Sequence, residues 1–583
     1  MANNLVLSSH KQLIDFKGKN LLLADWPISG LELKNIKYEI LDSHWKEKNK
    51  LEKDYKYLKN YYSVFMKKFY LFLNDYHKLQ NDQKYWNIVV GPYLTYILPI
   101  VWDQWETIDK LIKEKKIDIV KTLDKNISDY HFDNMEDFIN NMFNHNWRHL
   151  IFKEILKFKN INFTDVDSTS VKSDYKKSKN LFSIKSEIFK FFDKVFCIIK
   201  KNQKILFYQS YFGFLANLKL NLKFNNFPFT GYIFAQNIKI NNNNKEKRKN
   251  LKIKQTKNLK EFEFFFEKLI LKIIPKSYLE NFDQLKECSK KISYNPKIIF
   301  TASAYVYNDF FKIWAAEKSK KKVKIIFSDH GFYLDNCINF GSEAHSASVF
   351  AKWGNYQNEK NIKMPPNIFL RKKKRINSFF QIKKDLLFLT NIEPIYSHRI
   401  QSMPISGETI ESYNDWVKIY DYLDKDIKKY SLFRMPPNKK NKMYWPIQEL
   451  IEKKLGTSKI DKNKNLYDSF VKANLVINTV PQTTFLETMY YDIPNLLFYK
   501  NNFINLDKDT EDLINEMRDK KILFDNSTHL SEHLNNIWKD TNGWWNSEEI
   551  NSFKNRFNNL YINKSVDYFK RWQNFFSSEL KKQ

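Results

Sequence analysis

Short apolar runs that end in polar residues recur along this chain and constrain its fold more than any other feature. The stretches between many of them have helical spacing, a pattern typical of buried parallel strands joined by helices. The runs are Asn20–Ala24, Ile36–Leu41, Ile298–Phe300, Val323–Phe327, Asp385–Thr390, Tyr430–Phe433, Leu475–Ile477 and Asn495–Tyr499. The pattern predicts open α/β sheets, in which ligands bind beyond the carboxyl ends of the strands.

The length of 583 residues exceeds what one hydrophobic core supports, so we expect more than one domain. The basic run Arg371–Arg375 marks the expected boundary. We therefore predict an α/β protein with two Rossmann-like lobes, a central cleft and additional helices. Residues 1–380 would form the first lobe with helical insertions, residues 381–555 the second lobe, and residues 556–583 a helix that packs back on the first.

Four longer stretches predict further elements. Lys46–Leu79 has apolar residues at three- and four-residue spacing and predicts a charged helix. Trp105–Lys159 predicts more helices. Phe191–Gln209 contains the runs VFCII and ILFYQ, which we interpret as two strands, and Ile550–Lys581 predicts one long aromatic helix.

The formal net charge of +31 at pH 7 leaves three interpretations open. It could indicate a nucleic-acid partner or an anionic membrane surface. It could equally reflect a lysine-rich solvated surface, because Lys, Asn, Ile, Phe and Tyr are abundant together, as AT-rich coding produces. The lysines are scattered along the sequence, so we expect no nucleic-acid partner.

The chain shows no sign of secretion or of membrane insertion. Its three cysteines lack CxxC spacing, which argues against a disulfide framework and against a zinc site. The first residues lack the basic and apolar regions of a signal peptide. Tyr85–Trp102 is apolar but interrupted by prolines, so we interpret it as a buried helix pair or loop. We expect a cytoplasmic protein that could contact the inner membrane peripherally.

Three proton-handling side chains follow the run Val323–Phe327. His330 comes just after it, and Glu343 and His345 follow about a dozen residues later. We predict His330 as a general base and the other two as its catalytic partners. Gly331 would let backbone or ligand approach closely. The alternative is that Glu343 or His345 only braces the loop.

The second half carries a candidate anion site. Thr483 and Thr484 follow a predicted strand and open a predicted helix, whose free N–H groups and positive end attract phosphate. Glu487 could accept hydrogen bonds from ribose hydroxyls. The alternative is that the same sequence pattern, Thr483-Thr484 followed by Glu487, forms a helix capping box. Arg434 and Arg399 are candidate phosphate ligands, since a guanidinium can contact two oxygens. The alternative for either arginine is a surface ion pair.

Several common nucleotide-binding motifs are missing from the sequence. It contains no G-x-x-x-x-G-K-[ST] motif, which disfavours a P-loop kinase or ATPase, and no G-x-G-x-x-G after a predicted strand, which disfavours a dinucleotide-dependent oxidoreductase. No D-x-D-like pair follows a predicted strand. We therefore expect no bound metal ion and no cofactor.

Stretches across almost the whole chain resemble a bacterial family of transferases encoded with O-antigen and other surface-polysaccharide genes. They include LLLADWP, YWNIVVGPYLTYILPIVWDQW, IIFTASAYVYNDFFKIWAAEK, INTVPQTTFLETMYYDIPNLLFY and IWKDTNGWWNSEEINSFKNRF. The family is thought to be similar to two-lobed glycosyltransferases of the B type. The resemblance implies a metal-independent transferase of surface-polysaccharide biosynthesis, with the acceptor on the first lobe and the donor on the second.

The loop after His330 departs from the family pattern. The family usually has Gln before the His-Gly pair and glycines after it, whereas this chain has Asp329 before the pair and Phe332-Tyr333-Leu334 after it. An acidic neighbour stabilises imidazolium, so we expect Asp329 to raise the pKa of His330.

Three functions stay open at this point. The first is transfer of a sugar from a nucleotide-activated donor to a glycan or lipid-linked glycan acceptor. The second is transfer of a polyol phosphate from a CDP-linked donor, because a His-Gly pair after a strand also occurs in teichoic-acid-type polymerases. The third is a basic protein without enzymatic activity that binds nucleic acid or lipid.

Overall fold

A computed structural model describes residues 2–23, 36–168, 184–199, 202–227, 230–234, 248–254, 258–334, 346–354, 360–371, 383–400, 408–436, 443–500, 503–504 and 506–583. Within these residues the strands form three parallel five-stranded sheets. This confirms the predicted α/β class.

The first sheet lies at the N-terminus and has the strand order β3-β2-β1-β4-β5. Its strands are β1 (Asn3–Val6), β2 (Lys19–Leu22), β3 (Lys37–Ile40), β4 (Ile119–Leu123) and β5 (Thr164–Val166). All of its pairs are parallel.

The second sheet contains the strand that precedes His330 and has the order β10-β9-β8-β7-β6. Its strands are β6 (Ile205–Phe207), β7 (Ile298–Thr301), β8 (Lys324–Ser328), β9 (Val349–Lys352) and β10 (Asn361–Lys363). β8 pairs with β7 and β9, so it is a central strand, and this explains its apolar sequence.

The third sheet has the order β12-β11-β13-β14-β15. Its strands are β11 (Asp385–Leu389), β12 (Ser431–Arg434), β13 (Ala473–Asn478), β14 (Asn495–Phe498) and β15 (Leu523–Phe524). The predicted first lobe, residues 1–380, thus contains two of the three sheets.

Helices connect and cover the strands. In chain order they are α1 (Lys48–His77), α2 (Gln83–Val89), α3 (Gly91–Glu114), α4 (Met135–Asn141), α5 (His145–Phe158), α6 (Ile184–Ile199), α7 (Phe214–Lys223), α8 (Glu261–Ile273), α9 (Phe282–Lys290), α10 (Ala304–Tyr307), α11 (Asp309–Ser319), α12 (Thr409–Tyr422), α13 (Lys425–Tyr430), α14 (Ile447–Leu455), α15 (Leu466–Lys472), α16 (Thr483–Tyr490), α17 (Lys508–Asp519), α18 (Ser527–Ile537), α19 (Thr541–Trp545), α20 (Glu548–Phe557) and α21 (Tyr568–Lys581).

Three predicted elements differ from the structure. The VFCII run lies inside α6, where Phe196 stacks on Phe227 and so gives the helix tertiary support. β4 interrupts the helices predicted for Trp105–Lys159, because its residues pair with β1 and β5. The predicted C-terminal helix breaks into α20 and α21, since Asn558–Ile562 forms a π-turn that ends at Asn563 with φ 60°.

The predicted buried helix pair at Tyr85–Trp102 is confirmed as α2 and the first half of α3, whose apolar side chains lie in the core. Among the residues that the structure describes, no helix is both long enough and apolar enough to cross a bilayer.

One hydrophobic core joins the three sheets, with Leu5, Ile299 and Leu386 among its members. The C-terminal helix α21 crosses back onto the second sheet. There Trp572 donates from Nε1 to the carbonyl of Pro365 at 3.1 Å, and Phe576 packs on Phe207 of β6.

Candidate functional site

The end of β8 lies beside the end of its neighbour β7, and β6 is the next strand beyond β7. The His330 ring makes a hydrogen bond with the backbone of Ala302, which follows β7. The ring of Tyr211, which follows β6, has its centroid 6.2 Å from that of His330. His330 and Tyr211 are both partly exposed, so solvent or a ligand can reach them. We call this group the His330 site.

The loop after β6 supports this site in a strained conformation. Gln209 has φ 46°, Tyr211 has φ 62°, and Gly213 has φ 79°. Left-handed backbone at a residue other than glycine costs about 1–3 kcal/mol and is concentrated at functional sites. Ser303 donates from Oγ to Oε1 of Gln209 at 2.9 Å and so fixes the loop to β7. The sequence reasoning missed these residues; the only signal was that the run ILFYQ ends in polar residues.

The loop after His330 meets the start of α16 in the third sheet. The backbone N–H of Phe332 donates to Oγ1 of Thr483 at 2.9 Å, and Tyr333 forms an isolated antiparallel bridge with Gln482. A Cβ at Gly331 would lie 3.4 Å from the same Thr483 oxygen. The two regions that the sequence singled out separately are therefore in direct contact.

The start of α16 is not a capping box. Its N-cap is Gln482, whose side chain makes no capping hydrogen bond, and the helix begins at Thr483. Thr484 therefore lies inside the first turn rather than at the cap, and it is partly exposed. Glu487 is only 7% exposed and lies near Tyr491.

Arg399 reaches the His330 site from the loop after β11. It donates from Nη1 to the hydroxyl of Tyr333 at 3.3 Å, and its guanidinium lies 5.9 Å from the centre of that ring. Burial alone would lower the pKa of Arg399, but the nearby oxygens of Tyr333 and Glu393 hold that pKa above its ordinary value. Arg399 thus supplies a permanent positive charge.

The environment of His330 keeps its imidazole neutral. Burial, together with the charge of Arg399, lowers the pKa of His330 to about 4, although the hydrogen bond to Ala302 opposes the shift. The prediction that Asp329 raises this pKa is wrong. The Asp329 carboxylate instead accepts from the N–H of Trp353 at 2.8 Å, and burial raises its own pKa to about 6. The Asp329 carboxylate therefore points towards the end of β9, and its raised pKa favours the uncharged form.

The loop that carries Arg399 is anchored by a buried arginine of α5. Arg148 is fully buried and donates from Nη2 to the carbonyl of Ser397 at 2.8 Å and from Nε to the carbonyl of Met142 at 2.7 Å. Its guanidinium also lies 5.3 Å from the centre of the Tyr396 ring. A residue of the first sheet's helical layer thereby positions a residue of the third sheet.

Arg434 follows β12 but is already engaged within the third sheet. Its Nη1 donates to Asp461 at 2.7 Å, to the carbonyl of Asn463 at 3.1 Å and to Ser469 at 3.0 Å. Arg434 thus forms an ion pair with Asp461. An ion pair was the alternative to its predicted role as a phosphate ligand. Glu343 and His345 lie outside the described residues.

A small cavity of about 200 Å³ lies at the carboxyl ends of β13 and β14. Its lining combines carboxylates with two lysines and aromatic rings: Lys46, Glu408, Glu411, Ser412, Asp415, Trp416, Thr479, Phe498, Tyr499 and Lys500. Carboxylates of this kind can accept hydrogen bonds from sugar hydroxyls, which Glu487 is too buried to do.

One cluster in the described residues has ligand atoms close enough for a metal ion. It consists of His44, Asp54 and Glu106, whose ligand atoms lie within 4.8 Å of one another. The ammonium of Lys50 lies between the two carboxylates, 3.1 Å from Asp54 and 2.6 Å from Glu106. A lysine charge thus already balances this cluster.

The comparison with protein families decides the assignment. A sequence model described as LIC12162 family transferase matches residues 3–576. The chain belongs to the LIC12162 family. The match spans nearly the whole of this transferase, in agreement with the resemblance seen in the sequence. Among curated proteins, none matches this member of the LIC12162 family.

Two solved structures are similar to parts of this LIC12162 family transferase. MurG of Acinetobacter baumannii has a TM-score of 0.30 at 8% identity, over 50% of this chain and 77% of that one. A glycosyltransferase from Rickettsia africae ESF-5 has a TM-score of 0.32 at 12% identity, over 68% of this chain and 95% of that one. Both TM-scores are too low to establish a shared fold.

Proposed function

We propose that this transferase is a glycosyltransferase of surface-polysaccharide biosynthesis. It would transfer a sugar from a nucleotide-activated donor to a hydroxyl of a glycan or lipid-linked glycan acceptor. The observation that carries the proposal is the neutral, partly exposed His330 at the end of β8, held against the start of α16 and beside the cation Arg399. The expected relation to B-type glycosyltransferases is part of the same proposal.

His330 would act as the general base. A ring anchored to Ala302 through one nitrogen presents the other to the acceptor hydroxyl. As the acceptor oxygen bonds to the anomeric carbon, its proton passes to His330, and the bond from that carbon to the donor phosphate oxygen breaks. The nucleotide leaves with the electron pair of that bond.

The leaving phosphate needs positive charge nearby. Arg399 supplies a fixed charge, and the N–H groups in the first turn of α16 add a favourable dipole. Thr484, partly exposed in that turn, could donate its hydroxyl, whereas the Thr483 oxygen already accepts from Phe332. This arrangement would neutralise a diphosphate without a metal ion.

The nucleoside would occupy the cavity at the ends of β13 and β14. Glu411 lines this cavity and could accept from ribose hydroxyls. The predicted ribose contact of Glu487 would require that buried side chain to turn outward. Substitution of Glu411 by Gln, compared with Glu487 by Gln, therefore separates the two placements through the affinity for the nucleotide.

Donor identification tests the proposed function directly. A thermal-shift screen of nucleoside diphosphates and CMP should give one nucleotide that raises the melting temperature, because a ligand that binds only the folded chain stabilises it. Incubation with the corresponding activated donors should then add the mass of one sugar to an acceptor. Addition of a phosphopolyol mass, or stabilisation by DNA instead of any nucleotide, would contradict the proposal.

A further inference from the structure

Helix α7 carries apolar side chains on both of its faces. Its inner face packs Ala216, Leu220 and Phe224 into the core of the second sheet. Its outer face exposes Phe214 at 80%, Leu215 at 70% and Leu222 at 67%. An ordinary surface helix places polar residues on its outer face, so this apolar face calls for a partner.

Helix α6 has a similar outer face. Ile188, Phe191, Phe192, Ile198 and Ile199 are exposed at 50%, 63%, 45%, 75% and 65%. They recur at three- and four-residue spacing and so form one stripe along the helix. Isolated apolar residues on a surface need no explanation, but a continuous stripe on each of two helices does.

Contacts between α6 and the residues that follow α7 place these stripes in neighbouring parts of the molecule. Phe196 of α6 stacks on Phe227, which follows α7 shortly after its last turn, with the ring centroids 5.1 Å apart. Asp193 of α6 accepts from Thr230, at 2.9 Å from its backbone N–H and 2.8 Å from its hydroxyl. Helix α6 therefore packs beside the segment that follows α7, and we call the exposed apolar faces of the two helices the α6–α7 surface.

Lysines lie among the apolar side chains of this surface. Lys194 on α6 and Lys219 and Lys223 on α7 are exposed. Exposed Phe, Leu and Ile together with lysines are the combination by which helices bind at the interface of an anionic bilayer. The net charge of +31 acts in the same direction.

The α7 part of the α6–α7 surface also begins only three residues along the chain from Tyr211 of the His330 site. Tyr211, whose ring lies beside His330, is joined through Phe212 and Gly213 to Phe214, the most exposed apolar residue of α7. A bilayer that covers α7 would therefore lie next to the mouth of the site. Access from the bilayer suits an acceptor whose sugar is attached to a membrane lipid.

We propose that the α6–α7 surface docks this transferase on an anionic lipid bilayer and presents the His330 site to lipid-linked acceptors. The docking rests on the exposed stripes and the lysines. The choice of acceptor rests in addition on the proposed glycosyltransferase function. Vesicle binding is measured without donor or acceptor, so failure of the docking and failure of the proposed function can be told apart.

Co-sedimentation of the full chain with vesicles tests the docking. Vesicles of phosphatidylcholine with about one third phosphatidylglycerol should bind the wild-type chain at low salt, and vesicles of phosphatidylcholine alone should bind it much more weakly. Substitution of Phe214, Leu215 and Leu222 by Ser should lower the partition coefficient at least about tenfold. The matched control replaces Phe16 and Leu71, which are also exposed, by Ser and should bind as the wild type does.

The charge contribution has its own control. Lys219→Glu with Lys223→Glu should weaken binding to the anionic vesicles about tenfold or more, whereas Lys462→Glu with Lys464→Glu, on the exposed surface of the third sheet, should change it little. Equal binding of the two double variants to the anionic vesicles would overturn the assignment of the surface. A wild-type dimer that the Ser variants dissociate, without vesicle binding by either, would show that the surface instead binds a second copy of the chain.

Discussion

The backbone N–H of Phe332 donates a 2.9 Å hydrogen bond to Oγ1 of Thr483 and thereby joins the end of β8 to the first turn of α16. Phe332 is buried, so its N–H has no easy access to water. This single bond connects the proposed general base to the proposed phosphate-binding helix. Its loss should affect both stability and turnover.

Thr483→Val should remove this bond and leave a buried N–H unsatisfied, at a cost of about 1–3 kcal/mol in the free energy of unfolding. Thr483→Ser keeps the oxygen and should stay close to the wild type. Urea unfolding measures both variants. Thr484→Val is the control, since Thr484 is partly exposed and a substitution there should change stability by less than about 0.5 kcal/mol. Equal effects of the two Val variants would disprove the role of Thr483.

Burial, and to a smaller extent the charge of Arg399, lowers the pKa of His330, and the pH dependence of the reaction should reveal the contribution of Arg399. With a pKa of about 4, His330 is already neutral at pH 5, so kcat/KM should be flat from pH 5 to 8 as far as this group determines it. Arg399→Gln should move the acid limb of the profile to higher pH, towards the ordinary value for histidine. Lys in place of Arg399 keeps the charge and should shift the limb less. An unshifted limb in Arg399→Gln would contradict the coupling.

His330 and Asp329 should oppose each other in the pH dependence of stability. The pKa of His330 falls from 6.5 to about 4 on folding, so between these values the unfolded chain holds the extra proton and this contribution to stability rises with pH. The pKa of Asp329 rises from 3.8 to about 6 on folding, so its contribution falls as pH increases over that range. Asp329→Asn removes the second effect only. The free energy of unfolding should then rise more steeply with pH between pH 4 and 6 than it does in the wild type. An identical slope would be evidence against the shift of Asp329.

Arg148 should hold the Arg399 loop in place. Arg148→Met leaves the carbonyls of Ser397 and Met142 without this donor, which should lower the free energy of unfolding by about 2 kcal/mol or more. Arg571→Met, at an exposed position of α21, is the matched control and should have little effect. Turnover of Arg148→Met should fall through kcat more than through KM, because Arg399 would lose its fixed position. Unchanged turnover in a destabilised variant would make Arg148 a core residue only.

The sequence predicted those strands that are apolar runs with polar ends. β8, β11, β13 and β14 lie where the apolar runs placed them. β4 was missed, because Ile119–Leu123 is short and partly exposed and becomes a strand only through pairing with β1 and β5. The first sheet was not recognised as a separate sheet for the same reason: without β4, the N-terminal sheet is difficult to distinguish from an inserted helical region.

The candidate site was predictable only in part. His330, Gly331 and Thr483 were found from strand ends and Arg399 as a cation in a loop, and the structure brings all four together. Tyr211 and Gln209 were missed, because left-handed φ angles at residues other than glycine arise from tertiary packing and leave no local signal. The pKa of His330 was assigned the wrong direction for two reasons. Burial, the main cause of the shift, and the charge of Arg399 both arise from the tertiary structure, and the Asp329 carboxylate is engaged by Trp353 instead of by His330.

The role of His330 is the central claim, and turnover of His330→Ala under donor saturation tests it most directly. The account predicts a fall in kcat of about a hundredfold or more, with the nucleotide affinity measured by titration nearly unchanged. His529→Ala, at an exposed position of α18, should retain wild-type turnover. Wild-type turnover in His330→Ala would contradict the assignment of the general base.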